Sequence, residues 1–281
     1  MTEDTYVESI REWRQAYAQR LLSPDSWLAI SGLFWLNPGD NQVGASPSCQ
    51  VILPRGSGPA LAGVFHLQGN EVTLEAAPGV NITLLDQPVT ANTPVQIHNF
   101  GASDWILLND LKLSVIQRGV RRGVRIYDKN NPSLTQFVSL RWYPIQPEYR
   151  IQARFVTLDQ PEKLEIVNVI GDTLDIESPG YAEFSLQGET CRLMAIPEDD
   201  GGLWFIFHDA TGKDATYAGG RYLTSEAPQD GSLVLDFNRA HNPPCAYTDF
   251  ATCPLPPAIN RLSVSIKAGE VRYTRPTSIG Y

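Results

Sequence analysis

The sequence predicts a mainly β protein that begins with one helix. Short runs of β-forming residues recur roughly every 8–12 residues, and clusters of Gly, Pro and Asn separate them. This spacing is typical of β-sandwiches and small barrels. Hydrophobic residues make up 42% of the 281 residues, which is enough to build a folded core. The length suggests one large domain or two ordinary ones.

The N-terminal helix is predicted over residues 5–22. Apolar side chains recur there at steps of four and three residues, which places one stripe on one face: Tyr6, Ile10, Trp13, Tyr17 and Leu21. Thr5 and Glu8 have the spacing of a capping box, and Ser23 with Pro24 ends the helix. We expect the stripe to dock on its own domain, and a partner-binding helix is the alternative.

Two sets of strands follow the helix. The first set is predicted at residues 27–30, 33–36, 50–53, 64–67, 72–74, 82–85, 105–108, 111–116 and 124–127. The second set is predicted at residues 137–140, 149–158, 164–170, 181–186, 191–195, 203–208, 232–237 and 262–266. We therefore expect a helix at 1–24, a β-sandwich at 25–126, and a second antiparallel sheet or small barrel at 127–281. Prolines predict a long ordered loop over 238–260.

Charge and composition exclude several classes of partner. The net charge is −9, which argues against binding nucleic-acid phosphates or an anionic membrane. No apolar run approaches the roughly 18 residues of a membrane-spanning helix. The N-terminus has neither the basic nor the apolar region of a secretion signal, so we expect a cytoplasmic protein. In that compartment its four cysteines are expected to be free thiols.

Residues 207–270 form a segment dense in Asp, Asn, Arg, Cys and Pro, which we call the polar block. Ordinary strands and hairpins do not require these residue types so close together. The block nevertheless matches no known catalytic motif. The chain contains no Walker sequence, no dinucleotide fingerprint and no nucleophile elbow, so the sequence predicts no cofactor.

Three carboxylates of the polar block are catalytic candidates: Asp209, Asp236 and Glu270. Each is predicted at or near a strand end, and paired carboxylates can serve as general acid and base when their pKa values differ. The alternative is structural, with Asp209 and Asp236 capping turns and pairing with arginines. We favour the structural role, because ion pairs that only stabilise the fold also perturb carboxylates.

The block also predicts a pocket for a small anion. Guanidinium groups suit carboxylates and phosphates, and tyrosine rings provide pocket walls. The candidate ligand-binding residues are Thr216, Tyr217, Arg221, Tyr222, Asn238, Arg239, Asn242, Asn260 and Arg261. The alternative is a buried network that fixes the loop to the sheet, in which every polar group must have a partner.

His241, Cys245 and Cys253 are weak candidates for metal ligands, and Cys245 for a nucleophile with His241 or His208 as its base. Their spacing matches no recognised zinc or catalytic pattern. We therefore predict no metal and expect the two cysteines to be buried thiols under the loop.

The polar block resembles the bacterial and archaeal family known as domain of unknown function 1684. The resemblance lies in Thr216-Tyr-Ala-Gly-Gly-Arg-Tyr-Leu, Leu235-Asp-Phe-Asn-Arg-Ala, Asn242-Pro-Pro-Cys-Ala and Cys253-Pro-Leu-Pro-Pro. The N-terminal segment Trp27-Leu-Ala-Ile-Ser-Gly-Leu-Phe-Trp-Leu fits the same family, so the likeness spans almost the whole chain. It implies no reaction. One departure is His241, where the resemblance leads us to expect an aromatic residue.

Residues 33–120 resemble a degenerate forkhead-associated β-sandwich. The likeness lies in Leu36-Asn-Pro-Gly, Val51-Ile-Leu-Pro and Val64-Phe-His-Leu. The phosphothreonine site of that fold needs an Arg after a glycine and a His at the end of a short loop. Here Ala45 follows Gly44 and Ala60 ends the loop, so the charge-assisted phosphate contacts are missing.

The function that these observations favour is the binding of a small polar or anionic molecule by the C-terminal domain. The first alternative is a hydrolase that uses an acidic pair. The second is a protein-interaction module without catalysis, which uses the sandwich edges and the helix.

Overall fold

The computed structural model describes residues 2–98 and 104–275, and contacts divide them into two units. Unit 1 comprises residues 2–19 and Val138–Thr274. Unit 2 comprises Arg20–Phe137 together with Arg275. Unit 1 is therefore built from two separate stretches of sequence. The division at residues 24 and 126 that the sequence suggests stays a prediction.

Helix α1 spans Glu3–Leu21, and its residues up to Gln19 belong to unit 1. Ile10 is completely buried, and the ring of Trp13 meets that of Trp142 edge-on at 5.8 Å. The apolar stripe of the helix thus packs within unit 1.

The helix starts earlier than the sequence pattern indicates. The hydroxyl of Thr2 accepts a hydrogen bond from the backbone N–H of Thr5 at 3.3 Å. Thr2 therefore has the helix-capping role that the sequence predicted for Thr5, and Thr5 lies in the first turn.

Two β-sheets build unit 2. Their strands are β1 (Ile30–Trp35), β2 (Gly39–Gly44), β3 (Val51–Ile52), β4 (Gly63–Gln68), β5 (Glu71–Ala76), β6 (Thr83–Leu84), β7 (Gln87–Pro88), β8 (Thr93–Val95), β9 (Ile97–His98), β10 (Ile106–Leu108), β11 (Leu111–Arg118) and β12 (Arg121–Asp128). One sheet has the order β1-β12-β11-β10-β6-β7, with β9 against β11, and the other β3-β2-β4-β5-β8. Both contribute side chains to one core, among them Phe65 and Val115.

A short helix, α2 (Pro132–Thr135), follows β12 at the end of unit 2. Asn131 caps it, because its side-chain oxygen accepts the N–H of Ser133 at 2.9 Å. The same Asn131 side chain donates to the carbonyl of Ile30 at 3.0 Å. This one residue thus ties the turn-rich segment after β12 to the start of β1.

Two antiparallel sheets build the β part of unit 1. Their strands are β13 (Arg150–Val167), β14 (Thr173–Leu186), β15 (Glu189–Met194), β16 (Ile196–Pro197), β17 (Leu203–Phe207), β18 (Arg221–Ser225) and β19 (Ser232–Asp236). The orders are β15-β14-β13-β19 and β16-β17-β18. Phe205, Phe207 and Phe237 lie in the main core. No closed barrel forms among the described strands.

The prediction of a mainly β fold with an N-terminal helix is confirmed. Several details differ. Residues 137–140 and 262–266 form no strand, and Trp27–Ala29 is a 3-10 turn. Strand β18 was not predicted from the sequence. The two strands expected at 149–158 and 164–170 are one strand, β13, whose pairing with β14 shifts register between Thr157 and Glu162.

The loop predicted over 238–260 is present and carries little regular structure. Three 3-10 turns lie in or beside it, at Phe237–Arg239, Pro244–Ala246 and Ala258–Asn260. Its prolines lack the N–H groups that a continuous ladder would need.

Within residues 2–98 and 104–275, no helix combines the length and the apolar character that crossing a membrane requires. All four cysteines are buried, and none forms a disulfide bond.

Candidate functional site

A cleft of about 520 Å³ opens in unit 1. Helix α1 supplies Tyr6 and Ser9 to its wall, and strand β13 supplies Arg150 and Gln152. The other lining residues come from β18, β19 and the segments beside them: Thr224, Ser225, Glu226, Ala227, Gln229, Ser232, Leu233, Val234, Asp236 and Arg239. Its volume lies in the range of roughly 300–1,000 Å³ that is usual for small-molecule sites.

A hydrogen-bonded trio fixes one end of the cleft. The hydroxyl of Tyr6 donates to Asp236 at 2.8 Å and accepts from the side-chain amide of Asn238 at 2.9 Å. Burial and the neighbouring Asp236 carboxylate raise the pKa of Tyr6. Tyr6 therefore stays protonated, and α1 is tied to the end of β19.

Asn238 and Arg14 hold the backbone behind this trio. The amide of Asn238 both donates to the carbonyl of Gln146 at 2.8 Å and accepts its N–H at 3.0 Å. Arg14 donates to the carbonyls of Tyr143 and Asn238 at 3.1 and 3.2 Å. Burial lowers the pKa of Arg14 to about 10, which still leaves it charged at neutral pH.

Two arginines, Arg150 and Arg239, line the cleft together with the carboxylates Glu226 and Asp236. Arg150 is exposed, and within the described residues it forms no ion pair, although its guanidinium lies 6.0 Å from the Tyr6 ring centre. The side chain of Arg239 is 43% exposed, and its Nε lies 3.8 Å from an Asp236 oxygen, too far for a hydrogen bond. Both groups are available to an anion that enters the cleft.

Most of the polar block lies away from the cleft and is buried. Arg221 is 1% exposed and donates to Asp209 at 2.8 Å, to the carbonyl of Ile266 at 3.0 Å, and to the carbonyl of Ala268. Asp209 also accepts the N–H of Ile266 at 2.7 Å and the hydroxyl of Thr211 at 2.8 Å. Since breaking such a buried pair costs about 3–5 kcal/mol, this network fixes the C-terminal segment to the sheet.

Glu270 is a second buried acid. It accepts hydrogen bonds from the Tyr247 hydroxyl at 2.7 Å and from the Asn242 N–H at 2.8 Å. Burial raises its pKa to about 7, against the opposing effect of these donors. Asn242 also donates its side-chain amide to the carbonyl of Val271 at 3.0 Å.

The remaining ligand-binding candidates mostly hold backbone groups. Asn260 donates to the carbonyls of Met194 and Ile206 and accepts the Met194 N–H. Tyr217 and Tyr222 donate their hydroxyls to the carbonyls of Cys245 and Pro254, both at 3.1 Å.

Thr216 is completely buried, and its hydroxyl lies 2.9 Å from that of Thr211. Arg261 is exposed. Of the nine candidates for ligand binding, Arg239 alone lines the cleft, and of the three catalytic candidates, Asp236 alone does so.

The residues that were weak candidates for metal ligands, His241, Cys245 and Cys253, make other contacts. Among the residues the structure describes, no group of three or more His, Cys, Asp or Glu side chains is placed to hold a metal ion. The N–H of Cys245 donates to the sulfur of Cys253 at 3.1 Å, and burial raises the pKa of Cys253. His241 packs its ring against Tyr17 and Trp13, at 5.1 and 6.1 Å between ring centres. His241 thus occupies the position at which the family resemblance predicts an aromatic residue.

Sequence reasoning missed Arg150, Gln152 and Tyr6 as cleft residues. The alternation of β13 contains a usable signal, because Arg150 and Gln152 face outward while Ala153 is buried. No sequence pattern predicted that β18 and β19 belong to different sheets.

Comparison with known proteins gives a family but no activity. Residues 135–271 match a family model described as "Protein of unknown function (DUF1684)". The match does not reach residues 27–36, so that part of the resemblance stays a prediction. A search of curated proteins found no match.

One similar solved structure is the solution NMR structure of the uncharacterized protein from gene locus rrnAC0354 of Haloarcula marismortui. The two chains are 33% identical, with a TM-score of 0.41, and the match covers 49% of this chain and 78% of the archaeal one. Residues 135–271 are thus similar to the family described as protein of unknown function (DUF1684), and neither that description nor the archaeal structure gives an activity.

Proposed function

We propose that this protein binds a small anionic or polar molecule in the cleft of unit 1. The observation that carries the proposal is Arg150, a guanidinium on the cleft wall with no ion-pair partner among the described residues. Arg239 adds a second positive group that Asp236 only partly neutralises. A guanidinium presents a planar set of donors that matches a carboxylate or phosphate.

The neutral residues of the cleft suit a polar ligand. Gln152 and Ser232 already share a hydrogen bond of 3.0 Å, and Ser9 donates to the carbonyl of Tyr6 at 2.7 Å. These groups keep further acceptor capacity. Asp236 holds Tyr6 rather than a substrate, so it supports the wall of the cleft.

A thermal-shift screen with carboxylates, phosphates and sugars tests the proposal. A ligand that binds the folded state raises the melting temperature. We expect at least one anion to do so in the wild type, and to lose most of the effect in Arg150→Ala and Arg239→Ala. Arg154→Ala is the matched control, since Arg154 lies on the same strand but pairs with Glu183 outside the cleft.

Two results would count against this assignment. If no compound in the screen moves the wild-type melting temperature, the cleft has no such ligand. If Arg150→Ala and Arg239→Ala respond to the anion as the wild type and the Arg154→Ala control do, the anion binds elsewhere.

The hydrolase and interaction-module hypotheses gain no support from this geometry. Asp209 and Glu270 are 2% and 0% exposed and are engaged by hydrogen bonds, so water and substrate have no route to them. The apolar stripe of α1 is packed against unit 1 and is not free for a partner.

We also propose that unit 2 has a forkhead-associated-like fold that lacks the phosphothreonine contacts. The enclosure of one core by a seven-stranded and a five-stranded sheet supports the likeness. Ala45 and Ala60 stand where charged and histidine contacts would be needed. An experimental structure with a different strand order would contradict the likeness.

A cytoplasmic location is proposed as well, because the four cysteines are free and buried. Fractionation that recovers the protein outside the cytoplasm would refute it.

A further inference from the structure

The charged side chains that line the cleft are equal in number and opposite in sign. Arg150 and Arg239 are positive, and Glu226 and Asp236 are negative. Two of the four partly cancel each other, because the Nε of Arg239 lies 3.8 Å from an Asp236 oxygen. The Asp236 carboxylate also accepts the Tyr6 hydroxyl at 2.8 Å. Arg150 and Glu226 therefore remain as the two charges that the cleft offers to a ligand.

The fold leaves both Arg150 and Glu226 uncompensated. Both side chains are exposed, and neither has an ion pair or a side-chain hydrogen bond in the part of the chain that the structure describes. They come from different elements, since Arg150 begins β13 and Glu226 follows the end of β18 at Ser225. One cleft of about 520 Å³ thus presents a guanidinium and a carboxylate.

Two serine hydroxyls of the cleft have already used their protons. Ser225 donates to the carbonyl of Glu226 at 3.0 Å. Ser232 donates to the carbonyl of Gln229 at 3.1 Å. A hydroxyl that donates its single hydrogen keeps lone pairs that accept. Together with the Glu226 carboxylate, these hydroxyls therefore suit a ligand group that carries several N–H donors.

A ligand of one charge meets an opposing group in this cleft. An anion that contacts Arg150 is repelled by Glu226, and a cation that contacts Glu226 is repelled by Arg150. Like-charge contacts of this kind are a common way to exclude wrong partners. A molecule that carries both charges avoids the repulsion and gains from both side chains.

We infer that the ligand of the cleft is a small zwitterion, with a carboxylate for Arg150 and an ammonium group for Glu226. A carboxylate accepts the paired N–H groups of a guanidinium, and an ammonium has three donors and no acceptor. The volume of about 520 Å³ accommodates a molecule of amino-acid size. This inference rests on the proposed function, because it names the chemical class of the polar molecule that the same cleft binds.

NMR titration of the full chain with linear amino acids tests the inference. The series contains glycine, β-alanine, 4-aminobutyrate and 6-aminohexanoate, which differ in the distance between their charges. Each is compared with the acid that lacks its amino group and with the amine that lacks its carboxylate, such as hexanoate and pentylamine for 6-aminohexanoate. We expect at least one amino acid to bind about tenfold more tightly than either counterpart. The amide signals of residues 225–227 should shift with it.

Variants of the two charged residues test the inference from the protein side. Glu226→Gln removes a group that repels anions, so the acids should bind at least as tightly as before while the amino acid loses its advantage over them. Arg150→Ala should remove the advantage of the amino acid over the amine. Glu177→Gln and Arg154→Ala are the matched controls, because they make the same changes at exposed positions outside the cleft.

The outcomes separate this inference from the proposed function. If the acids bind at the cleft through Arg150 as tightly as the amino acids do, the zwitterion is wrong and the proposed function stands. If Glu226→Gln weakens acids and amino acids alike, Glu226 does not contact an ammonium group, which also overturns the inference. If no amino acid of the series shifts the cleft signals, the inference fails, and the thermal-shift screen alone decides the proposed function.

Discussion

Single polar residues in the polar block act mainly by holding backbone segments to the sheets. Arg221, Asn238 and Asn260 are each 1% exposed or less, and each bonds to main-chain groups far away in sequence. Buried polar groups are tolerated only when they are hydrogen-bonded, so such residues specify where a loop runs. The density of polar residues in the sequence thus reflects the irregular path of residues 238–270.

Glu270 makes stability depend on pH. Its pKa is raised from 4.5 to about 7 by burial, so the folded protein keeps a proton that the unfolded chain releases. This contribution to stability is complete below pH 4.5 and is lost as the pH rises to about 7. The expected loss between pH 5 and pH 8 is about 2–3 kcal/mol.

Urea denaturation at several pH values checks this expectation. The wild type should lose stability over that window, and Glu270→Gln should not. Glu183→Gln is a suitable comparison, because Arg154 and Arg192 lower the pKa of the partly exposed Glu183 instead. Parallel curves for the wild type and Glu270→Gln would show that Glu270 does not titrate in this way.

At the level of elements, helix α1 is held to unit 1 by its buried face. Ile10 is 0% exposed, and Tyr6 is 5% exposed with its hydroxyl between Asp236 and Asn238. Helices in proteins gain most of their stability from the packing of an apolar face, so the order of α1 depends on these contacts.

Ile10→Ala is expected to lower the free energy of unfolding by about 2–5 kcal/mol, because it leaves a cavity under α1. Gln15→Ala, at an exposed position of the same helix, is expected to change it by less than about 0.5 kcal/mol. Urea denaturation of both variants provides the measurement. If the two variants change the free energy of unfolding by similar amounts, the packed face of α1 contributes little to stability.

The accuracy of the sequence prediction differed between elements for physical reasons. Alternation and helical period identify elements that bury one face, such as α1, β4 and β5. Residues 262–266 have the composition of a strand, but isolated backbone bonds, such as that from the Leu262 N–H to His208, and the bond from Arg221 to the Ile266 carbonyl hold them instead of a ladder. Strand β18 was hidden because Arg221, a charged residue, is buried in it by pairing with Asp209. Local pattern carries no information on that distant partner.

At the scale of the whole molecule, the cleft needs residues that lie far apart in the sequence. Tyr6, Arg150, Thr224 and Arg239 come from three separate regions and meet only when unit 1 is complete. The sequence indicated Arg239 and Asp236 through the polar block. The alternation of β13 predicts an outward-facing Arg150 but does not mark it as a cleft residue, because an arginine at an exposed strand position resembles any solvated charge.

Unit 2 is expected to fold without the rest of the chain. Its core of buried residues, from Leu36 to Ile126, lies entirely within Arg20–Phe137. A fragment of residues 20–137 should therefore give dispersed amide signals and a cooperative urea transition. A fragment of residues 138–274, which lacks Ile10 and Tyr6, should be less stable than the same fragment with residues 2–19 supplied. A fragment 20–137 without a cooperative transition would contradict the division.

The split composition of unit 1 sets an order of events during synthesis. Residues 2–19 leave the ribosome first, but Val138–Thr274 follow only after about 120 residues, which takes roughly 6–24 s at usual elongation rates. In this interval unit 2 can fold, while Ile10 and Trp13 have no surface to cover them. The nascent chain thus carries an uncovered apolar helix for seconds, which makes α1 a natural place for a chaperone to hold the unfinished protein.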